Sequence, residues 1–78
     1  MRHVVLYSRP GCHLCDDARR VVRAVALHHP FSFEEVDIES SDGLLREYGV
    51  RIPVVTVDGA EAFEVEVDPE RLLALVRM

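Results

Sequence analysis

The sequence predicts an α/β domain, a mixed four-stranded sheet with helices on both faces in the order β-α-β-α-β-β-α. Three observations carry that prediction. Short β-branched runs alternate along the chain with stretches whose apolar residues recur at helical spacing. The first such alternation makes a β-α-β unit, which requires parallel strands and a right-handed crossover. Asp58-Gly59, between two strand-like runs, adds an antiparallel hairpin. No repeat, linker or low-complexity segment interrupts the 78 residues, so residues 1–78 are expected to form one domain.

His3 to Tyr7 is an apolar, β-branched run closed by Ser8-Arg9-Pro10-Gly11, which reads as a buried strand and a turn. From Cys12 onward Leu14, Ala18, Val21, Val22 and Val25 recur at helical intervals, with Asp16, Asp17, Arg19, Arg20 and Arg23 on the other face. Acids open this helix and arginines close it, as the macrodipole favours, and Asp16 with Arg20 makes an (i, i+4) pair. The helix should end near His28-His29, before Pro30. Phe31-Ser32-Phe33 and Val36-Asp37-Ile38 make the second strand, whose alternation slips at Glu34-Glu35 as at a bulge or a partly exposed edge. Ser40-Ser41-Asp42 can cap a short helix through Leu44, Leu45 and Tyr48, and Gly49 suits a left-handed C-terminal position. Pro53 opens the third strand, Val54 to Val57, where its missing N–H costs no ladder bond. The returning strand is expected from Ala62 to Val67, one face wet and one dry. Asp68, Pro69 and Glu70 read as the cap and first positions of a last helix, with Leu72, Leu73 and Val76 on its inner face. Tyr48 and the phenylalanines are expected in the core, and the histidines at exposed element ends.

Composition narrows the function. The chain is 49% hydrophobic and 29% charged, too apolar for disorder. Nine basic residues, all Arg, against fourteen acidic ones leave a net charge of −5, and there is no Lys, Asn, Gln or Trp. An acidic surface without amide side chains to read base edges argues against nucleic acid as a partner. No apolar run approaches the roughly 18 residues of a membrane span. The opening residues lack the apolar stretch of about 7–15 residues of a secretory signal, so a reducing cytoplasmic setting is expected. There, a C-x-x-C pair such as Cys12 and Cys15 is more often catalytic or metal-binding than a static staple.

The two cysteines fall where the first turn becomes the first helix. Residues three apart on a helix have Cα atoms roughly 5 Å apart, within the window of about 4.4–6.8 Å that a disulfide needs. Cys12, at the helix N-terminus, meets unpaired N–H groups and the positive end of the dipole, and Cys15 lies one turn inside. Arg9 reinforces that field and Asp16 opposes it. Cys12 is therefore expected to ionise below the ~8.5 of a free thiol, attack a disulfide, and be released by Cys15. Two other readings stay open. A metal or iron–sulfur carrier would need ligands beyond the two cysteines, from His3, His13, His28 and His29, a dimer or external thiols. A non-catalytic adaptor would bind partners without turnover.

Tyr7-Ser8-Arg9-Pro10-Gly11-Cys12-His13-Leu14-Cys15 resembles the active-site segment of glutaredoxins, and Val50-Arg51-Ile52-Pro53-Val54-Val55 with Asp58-Gly59 resembles their cis-proline loop and hairpin. The resemblance covers nearly the whole chain and is closest to small bacterial glutaredoxin-like proteins. It implies a thioredoxin-like, glutaredoxin-type fold, Cys12 as nucleophile, Cys15 as resolving thiol and a cis Ile52–Pro53 bond. Arg9, Ile52 and Pro53 would then contact substrate, Ile52 through its backbone. Two departures matter. Glu66-Val67 stands where glutaredoxins carry a Gly-Gly pair, bringing bulk and negative charge toward an anionic tripeptide. Electrons are accordingly expected from either glutathione or a thioredoxin-reductase-like flavoenzyme. His13-Leu14 replaces the usual Pro-Tyr; a protonated His13 would stabilise the Cys12 thiolate, while an exposed one would do little. The expected protein is a monomer with no bound cofactor, acting on protein or small-molecule disulfides.

Overall fold

In the computed structural model, which describes Met1–Met78, the chain forms β1 (His3–Ser8), α1 (His13–His28), β2 (Ser32–Asp37), α2 (Asp42–Tyr48), β3 (Val54–Val57), β4 (Ala60–Glu64) and α3 (Pro69–Arg77). The sheet order is β2-β1-β3-β4. β1 and β2 run parallel in unbroken register from His3 opposite Ser32 to Ser8 opposite Asp37. β3 is antiparallel to both its neighbours, with Tyr7 opposite Val54. The mixed four-stranded sheet is the predicted one, and its fold is thioredoxin-like.

Alternation along β1 divides the apolar residues between two layers. Val4 and Leu6 face the main core, where they join Val55 of β3, Ala18, Val22 and Val25 of α1, and Leu72 and Val76 of α3. Burying a side chain such as Leu72 stabilises the fold by about 1.5–3 kcal/mol. Tyr7 points to the opposite face and stacks on Tyr48 of α2, ring centroids 4.3 Å apart and planes 20° from parallel. Helices thus cover both faces. Phe31 is buried in the main core and Phe33 and Phe63 pack against it. Tyr48 departs from expectation, half-buried in the stack on the other face rather than in the core.

Local signals placed most termini. Asp68 caps α3 by accepting from the Glu70 N–H at 3.0 Å, with Pro69 in the first turn. Ser41 caps α2. Ile38, assigned from sequence to the second strand, instead begins a 3₁₀ turn, Ile38–Ser40, capped by Asp37.

One open alternative is resolved, and two further expectations are corrected. The slip at Glu34-Glu35 is no bulge, since β2 keeps register there; it is an edge strand whose outer residues meet water. The register shift lies in the hairpin instead, between Val55 and Thr56, which face Phe63 and Glu61 across Ala62. The returning strand ends at Glu64, not Val67. Gly49 is right-handed, with φ −52°, so the left-handed C-cap is absent. Glycine is required there by crowding, because a Cβ would meet the Leu45 carbonyl oxygen.

Candidate active site

The site is built at one end of the sheet, where β1 gives way to α1. Gly11, at φ +79°, turns the chain in a left-handed conformation that L side chains rarely adopt. Cys12 follows as the N-cap of α1, with extended φ and ψ of −94° and 110°. Its Sγ takes the place of a capping hydroxyl oxygen and accepts from the Cys15 backbone N–H at 3.1 Å. The two sulfurs are paired as a disulfide, with Cα atoms 5.2 Å apart, in line with the helical spacing.

The pair is asymmetric in exposure as well as in field. Cys15 is fully buried, while Cys12 is partly exposed at the helix end. An approaching molecule therefore meets Cys12 first. Unpaired N–H groups at a helix start favour an anion, and the Cys15 N–H already points at the sulfur that would carry it.

A polar network lies beside the helix start. Ser8, buried at the end of β1, donates its hydroxyl to Glu35 Oε2 at 2.7 Å. Arg19 grips both oxygens of Glu35, at 2.7 and 2.6 Å, and reaches Asp16 at 2.8 Å. The Arg19 guanidinium holds the Glu35 carboxyl below the usual carboxylate range, against a smaller opposing effect of burial. Glu35 first and Asp16 second raise the Arg19 pKa. The expected Asp16–Arg20 pair does not form: Asp16 pairs with Arg19, and Arg20 with Asp17, both at (i, i+3). Asp16, which opposes a thiolate at Cys12, has its charge offset by Arg19.

The other expected site residues fall as follows. Arg9 donates from Nε and Nη2 to Glu39 Oε2, at 3.1 and 2.8 Å, so its charge is shared with a carboxylate. His13 is the exposed first residue of α1. The Ile52–Pro53 bond is cis. Because Val54 pairs with Tyr7, Ile52 and Pro53 lie at the same end of the sheet as Cys12. Pro53 is buried and its carbonyl accepts from the Val65 N–H at 2.8 Å, whereas neither the N–H nor the C=O of Ile52 has a partner within the protein. No three His, Cys, Asp or Glu side chains converge as a metal would require.

Three features escaped the sequence reading. Leu14, expected on the inner face of α1, is 46% exposed between the cysteines. Arg51 ties the proline loop to α2 and β4, pairing with Glu61 at 2.7 Å, Glu64 at 3.2 Å and Glu47 at 3.3 Å, with its guanidinium 5.3 Å from the Tyr48 ring centre. The available signal was Glu47 four residues before Arg51; the other two partners are remote in sequence. Val65 adopts φ +70° inside a three-residue turn closed by the Glu66 N–H and Glu64 C=O at 2.8 Å. A left-handed conformation costs an L residue about 1–2 kcal/mol.

A family model described as a glutaredoxin-like domain matches residues 3–77. An uncharacterized protein of Mycobacterium tuberculosis is 33% identical over 76 positions, spanning 91% of this chain and 78% of its own. A protein of Nitrosomonas europaea, solved in solution by NMR, superimposes with a TM-score of 0.83 at 28% identity, over 96% of this chain and 91% of that one. A thioredoxin from Halobacterium salinarum shares the fold, with a TM-score of 0.71 at 23% identity over 97% of this chain and 72% of that one.

Proposed function

Since the chain belongs to the glutaredoxin-like domain family, we propose that it is a cytosolic thiol–disulfide oxidoreductase working by a dithiol mechanism. The observation that carries this reading is the bonded Cys12–Cys15 pair at the start of α1, one sulfur accessible and capped by an N–H, the other buried.

In the reduced protein the Cys12 thiolate attacks one sulfur of a substrate disulfide. A mixed disulfide forms and the first substrate thiolate leaves, taking up a proton. Cys15 then loses its proton and attacks Cys12 Sγ, which expels the second substrate thiol and leaves the Cys12–Cys15 disulfide. Two electrons pass from the cysteine pair to the substrate, and the two protons finish on the substrate thiols. A thiol donor, glutathione or a thioredoxin-reductase-like flavoenzyme, returns the two electrons.

The helix end lowers the Cys12 thiol pKa, with His13 adding to this when protonated. Ile52 offers its unpartnered N–H and C=O to an extended substrate segment beside the dithiol. Arg9 borders the same approach with its charge shared with Glu39, while Pro53, fully buried behind Ile52, offers substrate no exposed side-chain surface.

Alkylation of the reduced protein across pH tests the reading. Cys12 should react with a midpoint below the ~8.5 of a free thiol, well ahead of Cys15. Equal, slow reaction at both sites would refute it. Equilibration with glutathione then sets direction: a potential between about −270 and −200 mV fits a reductase, and one near −120 mV an oxidant.

A further inference from the structure

Beside the dithiol, α1 and the turn after β4 enclose a groove of about 230 Å³ with Leu14, Val21, Val65 and Val67 along its walls. That is below the ~300–1,000 Å³ of pockets that enclose a small molecule, and is sized for one or two side chains. Leu14 and Val65 leave 46% and 41% of their surface in water and both line this one groove. Val65 is held toward the groove in a left-handed conformation by two hydrogen bonds, its own N–H to Pro53 and the Glu66 N–H to Glu64. Strain of this kind persists where the surrounding structure imposes it, and it gathers at binding sites.

The charge at the groove is one-sided. Glu66 lines it and has no cationic partner, while Asp17 shares its charge with the exposed Arg20. The arginines around the dithiol are already committed, Arg9 to Glu39 and Arg51 to three glutamates. An anionic tripeptide would find a free carboxylate in this groove and no cationic side chain lining it.

We propose that this groove selects the substrate: a polypeptide disulfide whose reacting cysteine is flanked by an apolar side chain, seated between Leu14 and Val65, and by a basic residue facing Glu66. The inference rests on the redox reading and adds the substrate class. The electron transfer is the one already written, two electrons from the cysteine pair reducing the peptide disulfide to two thiols.

The test measures reduction rates with the full-length reduced protein. The probes are bis(2-hydroxyethyl) disulfide, glutathione disulfide, and three peptide disulfides carrying Leu and Arg beside the cysteine, Ser in place of that Leu, or Glu in place of that Arg. The Leu/Arg peptide should be reduced about tenfold faster than either altered peptide and faster than glutathione disulfide, tenfold being the factor that 1.4 kcal/mol provides. In Glu66→Arg the preference between the Arg and Glu peptides should reverse, a ratio within one variant that does not depend on how much of it folds. Equal rates on all peptides, faster reduction of glutathione disulfide, or an unmoved ratio in Glu66→Arg would overturn the inference while leaving the redox reading in place. No reduction of even bis(2-hydroxyethyl) disulfide would defeat both.

Discussion

Replacing Arg19 with Met removes the guanidinium from the network beside the dithiol while keeping an unbranched stem of similar helix propensity. Three contacts vanish, two to Glu35 and one to Asp16. The Arg19 and Glu35 side chains keep 27% and 28% of their surface in water, so the pairs belong near the surface scale rather than the buried one. Bonds at ~0.2–1 kcal/mol per pair, strengthened by the bidentate grip, give a loss of about 1–2 kcal/mol at pH 7. For a domain this small each kcal/mol lowers Tm by about 4–8 °C. The pH dependence follows from Glu35, whose carboxyl Arg19 holds below its ordinary range. A depressed carboxylate stabilises the fold fully above the unfolded value of about 4.3, and that contribution fades as pH falls through the lower folded value. Urea denaturation of both proteins at pH 7 and pH 2 should therefore show a gap that is wide at the first and narrower at the second. A gap of equal size at both, or none at pH 7, would refute the assigned role.

Cys15→Ser should stop turnover after the first step and accumulate a mixed disulfide on Cys12, visible as an added mass that reductant removes; continued turnover would exclude Cys15 as the resolving thiol. Gly49→Ala should cost about 1–3 kcal/mol in denaturation, the scale of a forced overpacking, because the new Cβ meets the Leu45 carbonyl. Gly11→Ala has open space around it, so its loss of about 1–2 kcal/mol should come from φ alone. Asp68→Ala should lower stability by about 0.5–2 kcal/mol through the lost cap of α3, measured the same way.

Much of this protein is legible in short stretches of its sequence. Asp68-Pro69 starts a helix because a capping carboxylate and a missing N–H both suit that one position. The three-residue spacing of Cys12 and Cys15 carries the sulfur pair with it, because helical rise and radius fix the Cα separation. The site's dithiol was therefore readable before any contact was known.

What escaped depends on neighbours that the sequence keeps far apart. The alternation Glu64 to Val67 looks like a strand. Its pairing ends at Glu64, however, because the next position on β3 is Pro53, which accepts from Val65 but has no N–H to extend the ladder. Asp16 takes Arg19 rather than Arg20 because Glu35, on an adjacent strand, draws Arg19 across. Leu14 fits the apolar period of α1 yet stands in water, at the rim of the groove closed by Val65. Local spacing and capping settled which elements form and where the sulfurs sit. Only packing between distant segments decided which charges are spent, which apolar groups stay uncovered, and so what the dithiol faces.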